Sequence, residues 1–271
     1  ELHYKHLKNK MIDLIMKSNK DIRKENTTNI EIHSKFSAIN KIEMKEELEK
    51  LGVDKVSGIV FDLGVSSPQL DNANRGFSYL KDAKLDMRMD KDNELSAYEV
   101  VNNYSEKDLA RIIFSYGEEK YAKNIARNIV HERNKKKIET TLELVDIIRN
   151  MPKKATLLKN PARRTFQAIR IEVNHELEIL DESIRKALSL LDVNGRLLVI
   201  TFHSLEDKIV KNIFKEVASV SKVVKELPLI PEEYQPKFKL INDYIPTDKE
   251  LSENKRSRSS RLRVIERTRK D

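Results

Sequence analysis

A chain of 271 residues with 52 Lys and Arg against 44 Asp and Glu carries a formal charge of +8 and is long enough for an α/β core domain with a smaller second unit. It contains no cysteine, which excludes disulfides, thiolate nucleophiles and Cys-ligated zinc. No apolar run approaches ~18 residues and no signal-peptide pattern opens the sequence, so a soluble intracellular protein with no membrane span is expected.

Leu7, Met11, Leu14 and Ile15 recur at helical spacing, and Tyr4 to Lys17 reads as an amphipathic helix with a basic outer face. Ile30 to His33 alternates as a short strand, and Lys41 to Leu51 reads as a helix stopped by Gly52. The apolar run Ile59-Val60-Phe61 then meets Asp62, as a buried parallel strand does at its carboxyl end, the edge where open α/β sheets bind ligands. Gly64 and Ser66-Ser67-Pro68-Gln69 follow at once, so a carboxylate, two hydroxyls, a rigid proline and a carboxamide fall within eight residues. The stretches 71–79 and 85–90 show neither helical nor strand periodicity and mix charges with large apolar groups, as functional loops do.

From Leu95 the periodicity is helical. Ser96-x-x-Glu99 and Thr140-x-x-Glu143 are capping boxes, and Ser105 starts a further helix. The basic clusters 133–137 and 153–164 are expected to face nucleic acid. The α/β pattern resumes with a long helix carrying Leu177, Leu180, Ile184, Leu188 and Leu191, with Asn174 and His175 placed to cap it. An Asn194-Gly195 turn, a strand over 196–201 and a helix over 204–217 come next. Pro228, Pro231 and Pro236 mark an extended connection to a last strand at 262–266. Eight basic residues against the single acid Glu266 in 255–270 suggest a tail that grips a polyanion, with Leu262, Val264 and Ile265 docking part of it.

The run DLGVSSPQLDNANRGFSY, followed by LDMRMD, resembles the signature of the bacterial small-subunit ribosomal RNA cytosine-N4 methyltransferase family (RsmH, also called MraW). The blocks NPARRTFQAIRI at 160–171 and ITFHSLED at 200–207 are similar to two more of its motifs, in the same order. The resemblance implies a class I S-adenosylmethionine-dependent α/β fold with a Rossmann-like sheet and an inserted all-helical domain. The expected division is a core part at 1–94, a helical RNA-recognition insert at 95–165, and a second core part with the basic tail at 166–271. The first glycine is Gly52, and the Gly-rich cofactor turn of such a fold does not precede it, so the sequence is expected to be a fragment.

By the same resemblance S-adenosylmethionine is the cofactor, and Phe36, Asp62 and Gln69 bind it: Phe36 to stack on adenine, Asp62 to accept from a polar edge, Gln69 to orient. Ser67 and Pro68 are similar to the Ser-Pro-Pro-aromatic motif of amino-methyltransferases, in which a backbone carbonyl and a polar side chain face the reacting amine. His203 and Ser204, at a second strand's carboxyl edge, are expected to line the base pocket; a lone His after a strand is more often bonded to neighbouring backbone. The remaining histidines have no metal-ligand spacing, and no metal is expected. The implied substrate is small-subunit (16S) ribosomal RNA, free or in the assembled subunit, and the implied location is the cytoplasm or, in a eukaryote, an organelle. The oligomeric state, monomer or homodimer, stays open. The rival reading is a catalytically silent RNA-binding or ribosome-assembly protein of the same fold; a dinucleotide enzyme is disfavoured by the lack of G-x-G-x-x-G.

Overall fold

The structure, a computed structural model, describes residues 43–150, 161–220 and 223–270. The helix expected at 4–17, the strand at 30–33, Phe36 and most of the basic stretch 153–164 lie outside the described residues. In chain order come α1 (Glu43–Lys50), β1 (Val56–Asp62), α2 (Ser67–Asp71), α3 (Ala97–Asn103), α4 (Glu106–Ser115), α5 (Ala122–Lys135) and α6 (Thr141–Arg149). They are followed by α7 (Pro161–Asn174), α8 (Glu176–Leu190), β2 (Leu191–Thr201), α9 (Ser204–Val217), β3 (Phe238–Tyr244), α10 (Asp248–Glu253) and β4 (Arg261–Arg267). No described helix is long and apolar enough to cross a membrane. The described chain divides into two compact units, one of 43–64 with 177–270 and one of 65–176. The helical insert read from the sequence at 95–165 falls within the second.

The first unit is built on a sheet of order β1-β2-β4-β3. β1 and β2 run parallel, with Gly58 opposite Arg196 and Asp62 opposite Ile200. Leu197 to Ile200 are all buried, which is why β2 reads as a continuous apolar run and not as an alternation. Between Val56 and Gly58 the partner residue jumps from Leu191 to Arg196, so 192–195 bulges out and Asn194 takes a φ of 64°. The Asn-Gly turn of the sequence is therefore a bulge within the span of β2.

β4 lies antiparallel to β2, Arg196 opposite Glu266 and Thr201 opposite Arg261. The expected docking through Leu262, Val264 and Ile265 is seen, and it takes two of the tail's arginines into the fold. Arg263 is 5% exposed and donates through Nε and Nη2 to both oxygens of Asp207, at 2.7 and 3.0 Å, and through Nη1 to Asp243. Arg267, 3% exposed, donates to the Leu191 carbonyl at 2.9 Å, and Arg269 pairs with Glu232. Leu262 and Val264 pack with Leu198 and Ile200. Burial of these apolar residues fixes the segment as an inner strand, and Arg263 and Arg267 spend donors on protein acceptors, while Lys255, Arg256, Arg258 and Arg261 stay exposed. The edge strand β3 and the short α10 had no counterpart in the sequence reading, because β3 exposes Lys239, Leu240, Asn242 and Asp243 and so lacks a buried apolar run.

The second unit packs α3 to α7 around one core that includes Leu109, Ile112, Ile125, Ile129, Leu144 and Ile169. The expected caps form: Ser105 Oγ accepts from Asp108 N at 3.1 Å, and the Thr140 and Glu143 side chains accept reciprocally from each other's backbone N–H, at 3.3 and 3.1 Å. Asn174 is no cap for α8. It is buried, its Oδ1 accepts from Met89 N at 2.7 Å, and its Nδ2 donates to the carbonyls of Met87 and Arg170 at 2.9 and 2.8 Å.

That amide pins a loop also held from the other side. Arg75 Nη2 donates to the carbonyls of Arg88 and Met89 at 2.6 and 3.0 Å, and Arg88 bonds Asp86 and the carbonyls of Lys91 and Asn93. The unperiodic stretches 71–79 and 85–90 thus brace each other through side-chain to backbone bonds, which compensate for the absence of a ladder. Gly76 sits at φ +69°, and a Cβ there would stand 2.5 Å from the Lys84 carbonyl oxygen.

Two stability tests follow from this packing. Arg263→Ala strands two carboxylates and is expected to cost about 3 kcal/mol in urea denaturation. Gly76→Ala, which meets both a disfavoured φ and backbone atoms, is expected to cost more than about 2 kcal/mol in the same measurement.

Candidate active site

The parallel register of β1 and β2 puts two strand ends at one sheet edge. Leu63 N–H donates to the Ile200 carbonyl at 3.1 Å, so the pairing continues one residue past Asp62 and sets it beside the end of β2. Among the described residues Asp62 has no hydrogen-bond or ion-pair partner. Desolvation, with the Glu206 charge second, pushes its carboxyl from the ordinary 3.8 up to about 6. The residue nonetheless keeps an open side, and solvent there screens the charge and moderates the effect on stability. An ionised, unpartnered acceptor at a strand end is suited to a hydroxyl or amine donor brought by a ligand.

β2 leaves the sheet through Phe202 and enters α9, where His203 is the N-cap. Its Nδ1 accepts from Glu206 N at 3.4 Å, while Glu206 Oε2 accepts from the backbone of Phe202 and His203 at 2.8 and 3.2 Å. Nδ1 as acceptor puts the proton of a neutral ring on Nε2. Nε2 lies 3.1 Å from Glu206 Oε1, an ion-pair distance whose angle makes no hydrogen bond. Glu206 is 3% exposed, and its carboxylate welds the strand end to the helix start. Sequence reading quoted Glu206 within a motif but gave it no role; the His203-x-x-Glu206 spacing, a capping box with His in the first place, was the available signal. Ser204 is exposed at the first position of α9.

Pro68 and Gln69 belong to the second unit, where they lie in the first turn of α2, with Ser66 as N-cap. The reason is local: Gln69 Oε1 accepts from Ser66 N–H at 2.9 Å and from Ser66 Oγ at 3.1 Å, and proline is well tolerated in a first helical turn. The Gln69 oxygen is therefore engaged in the cap, and its carboxamide nitrogen is what remains for a ligand. The Ser67 side chain lies outside the described residues.

The basic cluster 133–137 is also partly structural. Arg133 donates to the carbonyls of Val101 and Tyr104 at 2.7 and 2.6 Å, and desolvation lowers its pKa. Lys135 and Lys136 pair with Glu132 and Glu143 at 2.8 and 3.0 Å.

The Asp62 shift has a measurable sign. The folded protein retains a proton that the unfolded chain releases between about pH 4 and pH 6, so this group lowers stability as pH rises through that window. Asp62→Asn is expected to raise the melting temperature of the ligand-free protein at pH 7, with the gain vanishing below about pH 4.

The family model described as the MraW methylase family matches residues 6–268. The ribosomal RNA small subunit methyltransferase H of Exiguobacterium sibiricum is 53% identical over 231 residues, covering 84% of this chain and 74% of that protein. The protein of the same name from Streptococcus mutans is 53% identical over 230 residues, 83% of this chain and 72% of its own length. Matched over nearly the whole of its sequence, the chain belongs to the MraW methylase family.

Proposed function

We propose that the protein methylates the exocyclic N4 amine of a cytidine in small-subunit ribosomal RNA, using S-adenosylmethionine and acting on the assembled small subunit. The observation that carries the reading is the family match across residues 6–268, joined by the names of relatives 53% identical. The donor set fits the cofactor: Asp62 offers an acceptor, without a partner among the described residues, to a molecule rich in hydroxyl and amino donors. Asp62, Gln69 and Phe36 are the residues we assign to hold it. Bound S-adenosylmethionine supplies an electrophilic methyl group on a sulfonium.

The cytosine amine is a poor nucleophile because its lone pair is delocalised into the ring. Acceptors that draw its hydrogens out of the ring plane localise that pair, and fixed orientation supplies much of the remaining acceleration. Ser67 and Pro68 are assigned to this task at the amine. His203 and Ser204 are assigned to the base pocket, and His203 acts there as a rigid wall, since its Nδ1 is committed to the helix cap. No general base of shifted pKa is needed before attack, because the amine sheds its proton readily once alkylated.

Mass spectrometry of nucleosides from small ribosomal subunits incubated with protein and S-adenosylmethionine is expected to reveal N4-methylcytidine; its absence would overturn the assignment. In calorimetry Asp62→Asn is expected to weaken S-adenosylmethionine binding about ten- to a hundred-fold, the value of one charged hydrogen bond. Ser67→Ala is expected to lower the single-turnover rate more than it lowers affinity for either substrate, as loss of an acceptor aimed at the transition state does. Equal losses in rate and binding would make Ser67 a holding residue only.

A further inference from the structure

Among the described residues Phe114 is the only phenylalanine that is exposed, 65% so, on the last turn of α4. A single exposed apolar residue is ordinary on a protein surface, and exposure alone says little. Its surroundings say more. Lys107 and Arg111 lie seven and three positions earlier on the same outward stripe, while Leu109, Ile112 and Ile113 fill the core behind.

The start of α7 abuts the end of α4. A Cβ on Gly117 would stand 2.7 Å from the Arg164 carbonyl oxygen, Arg164 Nη1 donates to the Glu118 carbonyl at 3.1 Å, and Gln167 Nε2 donates to the Tyr116 carbonyl at 3.0 Å. The exposed Arg163 precedes Arg164 in that first turn of α7. Acids that could neutralise the patch are already engaged. Asp108 bonds Ser105 and stands 3.9 Å from Arg111, Glu172 takes the Tyr104 hydroxyl at 3.0 Å and Arg111 at 3.5 Å, and the buried Glu119 takes Arg164 at 3.5 Å. Lys107 and Arg163 have no acidic partner among the described residues.

An exposed ring beside cations, of which Lys107 and Arg163 lack an acidic partner among the described residues, is complementary to single-stranded nucleic acid, in which bases offer π faces and phosphates offer charge. We propose that Phe114 is a stacking platform for an unpaired base of the ribosomal RNA substrate, with Lys107, Arg111 and Arg163 meeting the flanking phosphates. This rests on the RNA reading above and extends it to a surface outside the residues assigned to chemistry. A protein partner could also cover an exposed Phe, but it would accept any apolar side chain of similar size, whereas base stacking requires a ring.

The test is affinity for purified small ribosomal subunits by co-sedimentation, for the intact protein and for Phe114→Ala, Phe114→Leu and Phe114→Trp. Phe114→Ala is expected to weaken binding about tenfold, Phe114→Leu nearly as much, and Phe114→Trp to retain it. Because the sequence contains no tryptophan, Phe114→Trp also introduces a unique fluorophore, whose emission should be quenched by saturating small-subunit RNA. Equal binding by all four proteins, or full rescue by leucine, would overturn the stacking role, the latter in favour of a protein contact. Failure of the unsubstituted protein to bind or methylate subunits would instead strike the function proposed above, and this inference with it.

Discussion

The parallel pairing of β1 with β2 is the constraint on which the first unit depends. Six ladder positions, with the Leu63 to Ile200 bond beyond them, bring residues far apart in sequence to one sheet edge. Without that register, Asp62 would end a strand with nothing beside it. With it, the carboxylate stands near the charge of Glu206, and its raised pKa follows from that placement. Its open side leaves the carboxylate accessible to a donor brought by a ligand.

Glu206 shows how stability and site geometry share one side chain. Its Oε2 takes two backbone N–H groups at the point where β2 gives way to α9, so the turn carrying Phe202 and His203 cannot drift. The same negative charge makes ionisation of Asp62 harder. A neutral residue at 206 would ease that repulsion and would loosen the turn; the fold keeps the charge and accepts a less stable free state, as sites prepared for ligands commonly do.

In the second unit, polar side chains perform work that regular ladders do elsewhere. Asn174, Arg75 and Arg88 hold the loops at 71–79 and 85–90 by bonding backbone groups. The loops resemble a functional motif in sequence, and in the structure most of their named side chains are committed internally. Rigid loops of this kind can present backbone accurately, which side chains facing solvent could not.

Much of this was legible in the sequence. Helix starts at Ser96, Ser105 and Thr140 were written in capping residues whose partners are three positions away, and β2 was written as an apolar run because its burial leaves no alternation; β1, also read as a buried strand, is only half-buried, with Val60 and Asp62 exposed. The family motifs identified the chemistry, and Asp62 could be placed at a strand end from the residues around it. The sequence alone could not decide which charges were free. Arg263 and Arg267 read as a polyanion tail, Arg133 as an RNA contact, Asn174 as a cap and Gln69 as a ligand-facing amide. Each of the five is drawn into bonds with groups of the protein. For the arginines and Asn174 the acceptors lie dozens of positions distant, a pairing that only strand register and helix packing create; for Gln69 the turn into α2 decided it. Local pattern determines where elements begin, whereas the partner of a long polar side chain depends on which distant backbone the fold brings within 3 Å, a typical hydrogen-bond reach of about that length.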